Sequence, residues 1–257
     1  MADSKFLEVA KKAAIEAGKI VKHYYLTELE LHGKGHVANF ATEGDLESEK
    51  KAIEIISENF PEHNIIGEES GIVDNGSEYS WAIDPIDGTI PFVDGIPFFG
   101  VSIGLLKNNQ PFLGVINMVG KDELFWAEEG QGAFRNGEKL QVRDRTELSA
   151  STIALEFGHS ERNMRLEKHF LPIVEKVRYA YVFGSAVQSL TLVAQGNLDG
   201  CFIRAYVWDF AAGVILVKEA GGKFTELNGE KADFTKEKIQ LICTNGFIHD
   251  EMVSVYN

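Results

Sequence analysis

Apolar residues recur at helical spacing near the start of the chain. After Ser4, which can cap a helix, the inward positions are Phe6, Val9, Ala10, Ala13, Ala17, Ile20, Val21 and Tyr24. A polar stretch with glycines follows at residues 31–39, and a second helix is predicted from about residue 45 to residue 60, where Pro61 marks its end. The pattern therefore predicts two amphipathic helices at the N-terminus.

Short apolar runs bounded by turn residues predict strands in the middle of the chain. They cover residues 65–66, 81–84, 100–106, 112–118 and 123–127, and Asn136-Gly137 is a strong hairpin signal. Beyond residue 151 the pattern alternates, with helices predicted at about 163–177, after 186 and at 209–219, and strands around Val182 and at 199–203, 224–227 and 239–243. We expect two parts, residues 1–150 and 151–257, that form one compact unit with a shared active site.

Composition narrows the classes of function. Of the 257 residues, 44% are hydrophobic and 25% are charged, as in ordinary globular proteins. The net charge of −14 disfavours nucleic acid as a partner, because an acidic surface repels phosphate groups; the excess of acid serves either solubility or the binding of cations. Cys201 and Cys243 are expected to be buried thiols. With no membrane-spanning run and no signal-peptide pattern, we expect a cytoplasmic protein without a membrane partner.

Several polar segments carry candidate chemistry, and each has an ordinary structural alternative. The run Gly67-Glu68-Glu69-Ser70 places two carboxylates after a short strand, where they either point into a site or lie in a solvated loop. Thr42 or Asp45 can cap the second helix, and Asp209 can cap the helix that follows it. These roles are compatible with metal binding, because a capping aspartate can offer its other oxygen to a metal ion.

The run Asp84-Pro85-Ile86-Asp87-Gly88-Thr89 follows a buried apolar strand. Asp84 and Asp87 could converge on a hard cation, which prefers oxygen ligands. The amides of Gly88 and Thr89 could receive a phosphate if a helix begins there. The alternative is an Asp-Pro turn followed by an Asp-Gly turn, both of which are common. No HExxH zinc pair, P-loop or GxGxxG turn occurs in the sequence.

Taken together, these segments resemble the inositol monophosphatase family of magnesium-dependent, lithium-sensitive phosphatases. The resemblance rests on GEES at residues 67–70, WAIDPIDGT at 81–89 and WDFAAG at 208–213, and EAGG at 219–222 extends it. It implies an α+β fold of the sugar phosphatase type, which is a layered α/β/α/β/α sandwich with a large antiparallel sheet and a smaller mixed sheet. It also implies a homodimer.

The resemblance assigns roles to individual residues of this sequence. Glu68, Asp84 and the carbonyl of Ile86 would hold one Mg²⁺ ion, Asp84, Asp87 and Asp209 would hold a second, and Glu68 would touch a third. Asp45 and Thr89 would orient the attacking water beside Glu68, while Glu69 would support the ligands without touching the metal. Substrate contacts would come from Asp87, Gly88, Thr89, Gly184, Ser185, Ala186 and Arg204.

Such a site suits the hydrolysis of phosphate monoesters, whose uncatalysed reaction is among the slowest known. Two Mg²⁺ ions neutralise the phosphate, lower the pKa of a water and stabilise the leaving oxygen. The predicted substrate is a small polyol or sugar phosphate of the inositol 1-phosphate type. The alternatives in the superfamily are histidinol phosphate, fructose 1,6-bisphosphate and adenosine 3′,5′-bisphosphate. An alternative of another class is a regulatory or scaffolding protein on the same fold.

A few positions depart from the inositol-specific pattern. Such members usually carry a glutamate seven residues before the Trp-Asp aspartate, and counting back from Asp209 gives Phe202, which cannot bond a sugar hydroxyl. Arg204 could meet a second anionic group nearby. Pro91 removes an amide donor beside the expected phosphate site, and Tyr181 stands near the place of a usual arginine. We expect an intact ligand set and a changed substrate pocket.

Overall fold

The computed structural model describes residues 4–29, 31–36, 39–156, 158, 170–236 and 238–256. Its helices are α1 (Lys5–Tyr24), α2 (Glu43–Asn59), α3 (Thr89–Val93), α4 (Leu171–Val174), α5 (Ala186–Ala194), α6 (Val207–Glu219) and α7 (His249–Ser254). Single 3₁₀ turns lie at Val119–Lys121 and Leu148–Ala150. Within the described ranges, no helix has both the length and the apolar composition needed to cross a bilayer.

The strands fall into one small hairpin and two larger sheets. In chain order they are β1 (His32–His36), β2 (Asn39–Ala41), β3 (Asn64–Gly67), β4 (Gly71–Val73), β5 (Tyr79–Asp87), β6 (Gly100–Lys107), β7 (Gln110–Met118), β8 (Glu123–Glu128), β9 (Gly132–Arg135), β10 (Glu138–Lys139), β11 (Thr152–Glu156), β12 (Tyr179–Tyr181), β13 (Gly200–Tyr206), β14 (Lys223–Glu226) and β15 (Lys238–Thr244). Strands β1 and β2 pair only with each other in the described structure.

The two larger sheets differ in their pairing. The eight-stranded sheet has the order β10-β9-β8-β7-β6-β5-β3-β4 and is antiparallel except for the pair β3 and β5. The five-stranded sheet has the order β12-β11-β13-β15-β14; β11 runs parallel to both of its neighbours, and the other pairs are antiparallel. One sheet is therefore almost wholly antiparallel and the other is mixed, as the resemblance implied.

Three apolar clusters bind these elements into five layers. Helices α1 and α2 cover one face of the large sheet, while α5 and α6 lie between the two sheets. Alternate residues of β6 serve both faces: Ile103 and Leu105 pack toward α1, whereas Leu106 belongs to the cluster around α6. A third cluster joins the far face of the small sheet to α4 and α7. The predicted α/β/α/β/α architecture is confirmed.

The central helix α6 lies very close to the large sheet. A Cβ atom on Gly104 of β6 would stand 2.7 Å from the Cβ of Ala211, and one on Gly114 of β7 would collide with the carbonyl oxygen of Ala212. The two glycines and the two alanines thus set the distance between helix and sheet. This distance matters for the site, because Asp209 lies in the first turn of α6.

Some local predictions from the sequence are wrong. Strand β5 does not end at Asp84; it continues to Asp87 through an irregular pairing with β6. In the run at residues 67–70, Gly67 ends β3 and residues 68–70 form the turn to β4. The polar stretch at 31–39 contains strand β1 and the start of β2. Of the helix predicted at 163–177, only α4 is observed, and residues 159–169 lie outside the described residues.

The sequence pattern missed β4, β11 and α7 but predicted the other main elements near their observed positions. Both cysteines are buried free thiols, as expected, and they lie directly opposite each other on β13 and β15. The division of the chain near residue 150 stays a prediction.

We predict that Gly114→Ala destabilises the protein. The added methyl group meets a backbone carbonyl, which cannot move aside like the end of a side chain, so the free energy of unfolding should fall by about 1–3 kcal/mol. Denaturant unfolding measures this change. Gly33→Ala is the matched control, because nothing lies within 4 Å of its added Cβ. Equal unfolding free energies for the two variants would contradict the close packing of α6.

Candidate active site

Three carboxylates from separate parts of the chain converge at one point. Glu68, Asp84 and Asp209 each offer an oxygen, and these atoms lie within 4.8 Å of one another. Glu68 belongs to the turn after β3, Asp84 to the interior of β5 and Asp209 to the first turn of α6. Asp84 is almost fully buried, at 1% exposure. Carboxylate oxygens at this spacing form a candidate site for a hard cation.

Two carboxyl groups of the cluster have raised pKa values. Burial raises the pKa of Asp84 and of Asp209 well above the usual value, and the nearby charge of Glu68 raises both further. Burial also raises the pKa of Asp87 to about 6, although hydrogen bonds from Ser185, Val187 and Ala186 act in the other direction. A cation bound among these groups would favour their ionised forms and act against the effect of burial.

The irregular part of β5 aims Asp84 inward. The amide of Ile86 donates a hydrogen bond of 3.0 Å to Oδ1 of Asp84, which fixes the carboxylate against its own strand. On the neighbouring strand, Ser102 pairs with Asp84 in register and donates to the carbonyl of Trp208 at 3.1 Å. Ser102 thereby ties β6 to the residue before Asp209. Residues 100–104 spell GxSxG, but Ser102 lies inside a strand and not on the strand-to-helix elbow of a serine hydrolase.

Asp87 is held at the N-terminus of α5. Its carboxylate accepts hydrogen bonds from the hydroxyl of Ser185 and from the amides of Ala186 at 3.2 Å and Val187 at 3.0 Å. The predicted substrate turn Gly184-Ser185-Ala186 is therefore brought to Asp87. Asp87 itself lies outside the group of three that share the 4.8 Å spacing. Its oxygens retain lone pairs that a cation could still use.

Asp45 and Asp209 occupy the same position in two different helices. Asp45 accepts from the amide of Thr42 and Asp209 from the amide of Tyr206, both at 2.7 Å, and each is the third residue of its helix. The prediction that Asp209 is an N-cap is wrong; Tyr206 is the N-cap, and Asp209 closes a capping box. Burial raises the pKa of Asp45 to about 7, with contributions from Glu68 and Glu69. The N-termini of α2 and α6 thus both meet acidic residues of the site.

A short helix begins where the phosphate hypothesis requires one. Gly88 is the N-cap of α3 with a left-handed φ of 85°, and a Cβ there would lie 2.5 Å from the carbonyl oxygen of Phe98. The hydroxyl of Thr89 donates to the carbonyl of Ile86 at 3.1 Å. A carbonyl oxygen has two lone pairs, so that of Ile86 can accept this bond and still face a cation.

Two buried glutamates that the sequence reasoning missed support the loops of the site. Glu49 of α2 lies beneath the turn that carries Glu68 and Glu69. Glu156 of β11 accepts hydrogen bonds from the amides of Phe183 at 3.1 Å and Gly184 at 2.9 Å, and from the hydroxyl of Ser189 at 2.7 Å. The spacing of Glu49, one helical turn after Asp45, was the available signal for the first.

Two residues predicted to shape the substrate pocket lie elsewhere. Phe202 is buried in the outer cluster, with ring contacts at 5.6 Å to Phe170 and 5.8 Å to Tyr256. Its neighbour Ile203 packs in the central layer, so Phe202 points to the far side of the sheet from Asp209. Phe202 therefore does not line the candidate site, and the changed pocket expected from this position is not formed by its side chain. Arg204 lines a groove of about 420 Å³ with Lys238 and others, and none of the clustered carboxylates lines that groove.

Comparisons with known proteins place these features in context. The sequence model of the inositol monophosphatase family matches residues 2–255. A fructose-1,6-bisphosphatase/inositol-1-monophosphatase of Aquifex aeolicus is 35% identical over 98% of this chain and 95% of its own length. The structure of an inositol monophosphatase from Anabaena superposes with a TM-score of 0.86 at 37% identity, over 97% of this chain and 94% of that chain. The extragenic suppressor protein suhB of Bartonella henselae superposes with a TM-score of 0.91 at 32% identity, over 99% of both chains.

We predict that the protonation of Glu156 makes stability depend on pH. Burial raises its pKa from 4.5 to about 7 in the folded protein. The folded protein binds this proton more tightly than the unfolded chain does. Protonated Glu156 therefore contributes stability at low pH, and this contribution is lost as the pH rises from 4.5 to about 7. Relative to Glu156→Gln, the wild type should therefore lose about 3 kcal/mol of unfolding free energy between pH 4.5 and pH 7.

Denaturant unfolding of both proteins across this pH range measures the difference. Glu230→Gln, at an exposed position, is the control and should show no such trend. A difference between wild type and Glu156→Gln that is constant with pH would contradict the raised pKa.

Proposed function

The chain belongs to the inositol monophosphatase family and is a phosphoric monoester hydrolase; on that premise, we propose that it uses Mg²⁺ and acts on a small polyol or sugar phosphate of the inositol 1-phosphate type. The observation that carries the proposal is the convergence of Glu68, Asp84 and Asp209. Carboxylates at this spacing repel one another, and a cation bound between them would offset that repulsion.

The donor set fits Mg²⁺. All its side-chain atoms are carboxylate oxygens, which hard cations prefer, and the raised pKa values of Asp84 and Asp209 support the proposal, because a cation would stabilise the ionised carboxylates. Glu68, Asp84 and the carbonyl of Ile86 would hold one ion, and Asp84, Asp87 and Asp209 a second. A third ion at Glu68, and inhibition by Li⁺, belong to the same proposal.

The protein's own groups position the substrate and handle the proton. When bound, Mg²⁺ supplies positive charge against the phosphate and makes a water more acidic. The amides of Gly88 and Thr89 would hold the phosphate at the start of α3. Asp45 would accept a proton from the attacking water, because a pKa of about 7 suits a general base. Its Oδ2 is held by Thr42, which leaves Oδ1 for this role.

The choice of a monophosphate rests on the surroundings of the site. Arg204, the candidate partner for a second anionic group, lines a groove that contains none of the clustered carboxylates. Beside the turn at Gly184 lies the ring of Pro91, whose Cγ would be 3.5 Å from an added Cβ. A neutral polyol fits this wall better than a second phosphate. Relatives named for both fructose 1,6-bisphosphate and inositol 1-phosphate keep the bisphosphate as the second candidate.

Release of inorganic phosphate from four esters tests the proposal. Inositol 1-phosphate, fructose 1,6-bisphosphate, histidinol phosphate and adenosine 3′,5′-bisphosphate would be compared with and without Mg²⁺. We expect the highest kcat/KM for inositol 1-phosphate, and loss of turnover when EDTA removes the metal. Preference for a bisphosphate would overturn the substrate assignment. Absence of turnover for every ester would favour a regulatory role for this fold.

The oligomeric state and the compartment stay predictions. We propose a homodimer, as the resemblance implies. The edge strand β12 exposes Tyr179 and Tyr181, and Val182 beside it is also exposed, which provides an apolar surface for a second copy. Sedimentation at equilibrium would measure the mass. A cytoplasmic location is likewise proposed from the sequence alone.

We predict that Asp84→Asn separates catalysis from folding. Loss of the carboxylate shared by both proposed ions should lower kcat at least about a hundredfold. In the absence of metal, Asp84→Asn should not lower the free energy of unfolding. The raised pKa of Asp84 means that its ionised form opposes folding, and asparagine does not ionise. Phosphate release and denaturant unfolding measure the two effects. The exposed Asp144 supplies the control Asp144→Asn, and near-normal turnover of Asp84→Asn in Mg²⁺ would refute the assignment.

A further inference from the structure

A buried carboxylate accepts hydrogen bonds from the backbone of the turn that carries Glu68. Glu49 lies on α2, one helical turn after Asp45, and is only 2% exposed. Its Oε2 accepts a hydrogen bond of 2.9 Å from the amide of Glu69, and its Oε1 accepts one of 2.7 Å from the amide of Ser70. Each oxygen thus binds one of two consecutive N–H groups. Hydrogen bonds to an ionised acceptor are stronger than those between neutral groups.

The same turn is fixed on its other side by the sheet. The amide of Glu68 donates to the carbonyl of Ile83 at 3.2 Å, and Ile83 directly precedes Asp84. Glu68 is therefore held between Glu49 and the strand that carries the second carboxylate of the cluster. A change at Glu49 frees one side of the turn while the attachment to β5 remains.

Gly67 shows how closely Glu49 approaches the turn. A Cβ on Gly67 would lie 2.9 Å from the carboxyl carbon of Glu49 and would collide with the hydroxyl of Ser70. These contacts leave no space for a side chain, so a glycine is needed at this position for Glu49 to reach both amides.

The chemistry of the contact requires a carboxylate. A carboxylate offers two acceptor oxygens, whereas the amide of glutamine would turn an NH₂ group toward one of the two N–H donors. A cation bound at Glu68 would also attract the negative charge of a carboxylate at Glu49, whereas glutamine offers no such charge.

We propose that Glu49 is a positioning residue that holds Glu68 in its metal-binding arrangement and thereby sets the affinity for divalent cations. The inference rests on the proposed function, since it takes Glu68 as a metal ligand. It assigns to Glu49 no contact with the substrate, so Glu49 should affect the metal requirement and not the KM for the ester.

The test compares Glu49→Gln with the wild type and with Glu54→Gln, which removes an exposed charge from the same helix. The Mg²⁺ concentration for half-maximal activity should rise at least about tenfold in Glu49→Gln, as for other residues that support metal ligands. The KM for the ester at saturating Mg²⁺ should stay within about twofold, since uniform substrate binding is untouched. Glu54→Gln should behave as the wild type.

Calorimetric titration with Mg²⁺ supplies a readout without turnover. The wild type should bind, and Glu49→Gln should bind at least about tenfold more weakly. Glu49→Asp, which keeps both anionic oxygens on a shorter side chain, should bind with an affinity between those two. An unchanged affinity in Glu49→Gln, or Glu49→Asp binding no better than Glu49→Gln, would overturn the proposal. A wild type that neither binds Mg²⁺ nor hydrolyses any ester would instead refute the proposed function.

Thermal unfolding without metal distinguishes positioning from a purely structural role. We expect both folded variants to unfold cooperatively near the wild-type temperature, so that weakened metal binding reflects the turn. If both variants fail to fold, Glu49 is a folding residue and the proposal is wrong. If they are destabilised but bind Mg²⁺ with wild-type affinity once folded, the proposal is wrong as well.

Discussion

Mutual repulsion among clustered carboxylates, of which Asp84 is buried and the other two half-buried, is the constraint around which the site is organised. Glu68, Asp84 and Asp209 crowd their oxygens within 4.8 Å, and burial weakens the screening that water would provide. Backbone dipoles at helix N-termini offset part of this repulsion. Asp45 and Asp209 stand in the first turns of α2 and α6, and Asp87 accepts hydrogen bonds from the first two amides of α5, so three helix N-termini face the acidic groups. The remaining charge is what a bound cation would neutralise.

The scaffold brings these helix ends together by close packing of small residues. Gly104 and Gly114 allow α6 to lie against the large sheet at Ala211 and Ala212. Asp209 can then reach Asp84 across the interface between helix and sheet. The hydrogen bond from Ser102 to the carbonyl of Trp208 fixes the same interface at the level of the site. Core packing and site geometry are therefore parts of one arrangement.

Loops of the site depend on buried acceptors in the layers beneath them. Glu49 binds the amides of the turn that carries Glu68, and Glu156 binds those at Phe183 and Gly184 on the side of α5. Both glutamates hold backbone in place through carboxyl oxygens that accept hydrogen bonds. The turn that carries Glu68 and the turn at Gly184 are thus supported in the same way, from α2 on one side and β11 on the other.

The sequence by itself determined the classes of element and the identity of the clustered carboxylates. Periodicity predicted α1 and α2, turn residues predicted the hairpins of the large sheet, and the order of three acidic runs pointed to the metal site. Only the tertiary structure decided which way side chains face: Phe202 turned out to lie in the outer core, and Asp209 to close a capping box. Glu156 carries no local signal and Glu49 carries only its spacing from Asp45, because the partners of both are amides far along the chain. Period and propensity are local, whereas the direction of a side chain and its distant partners depend on how layers pack.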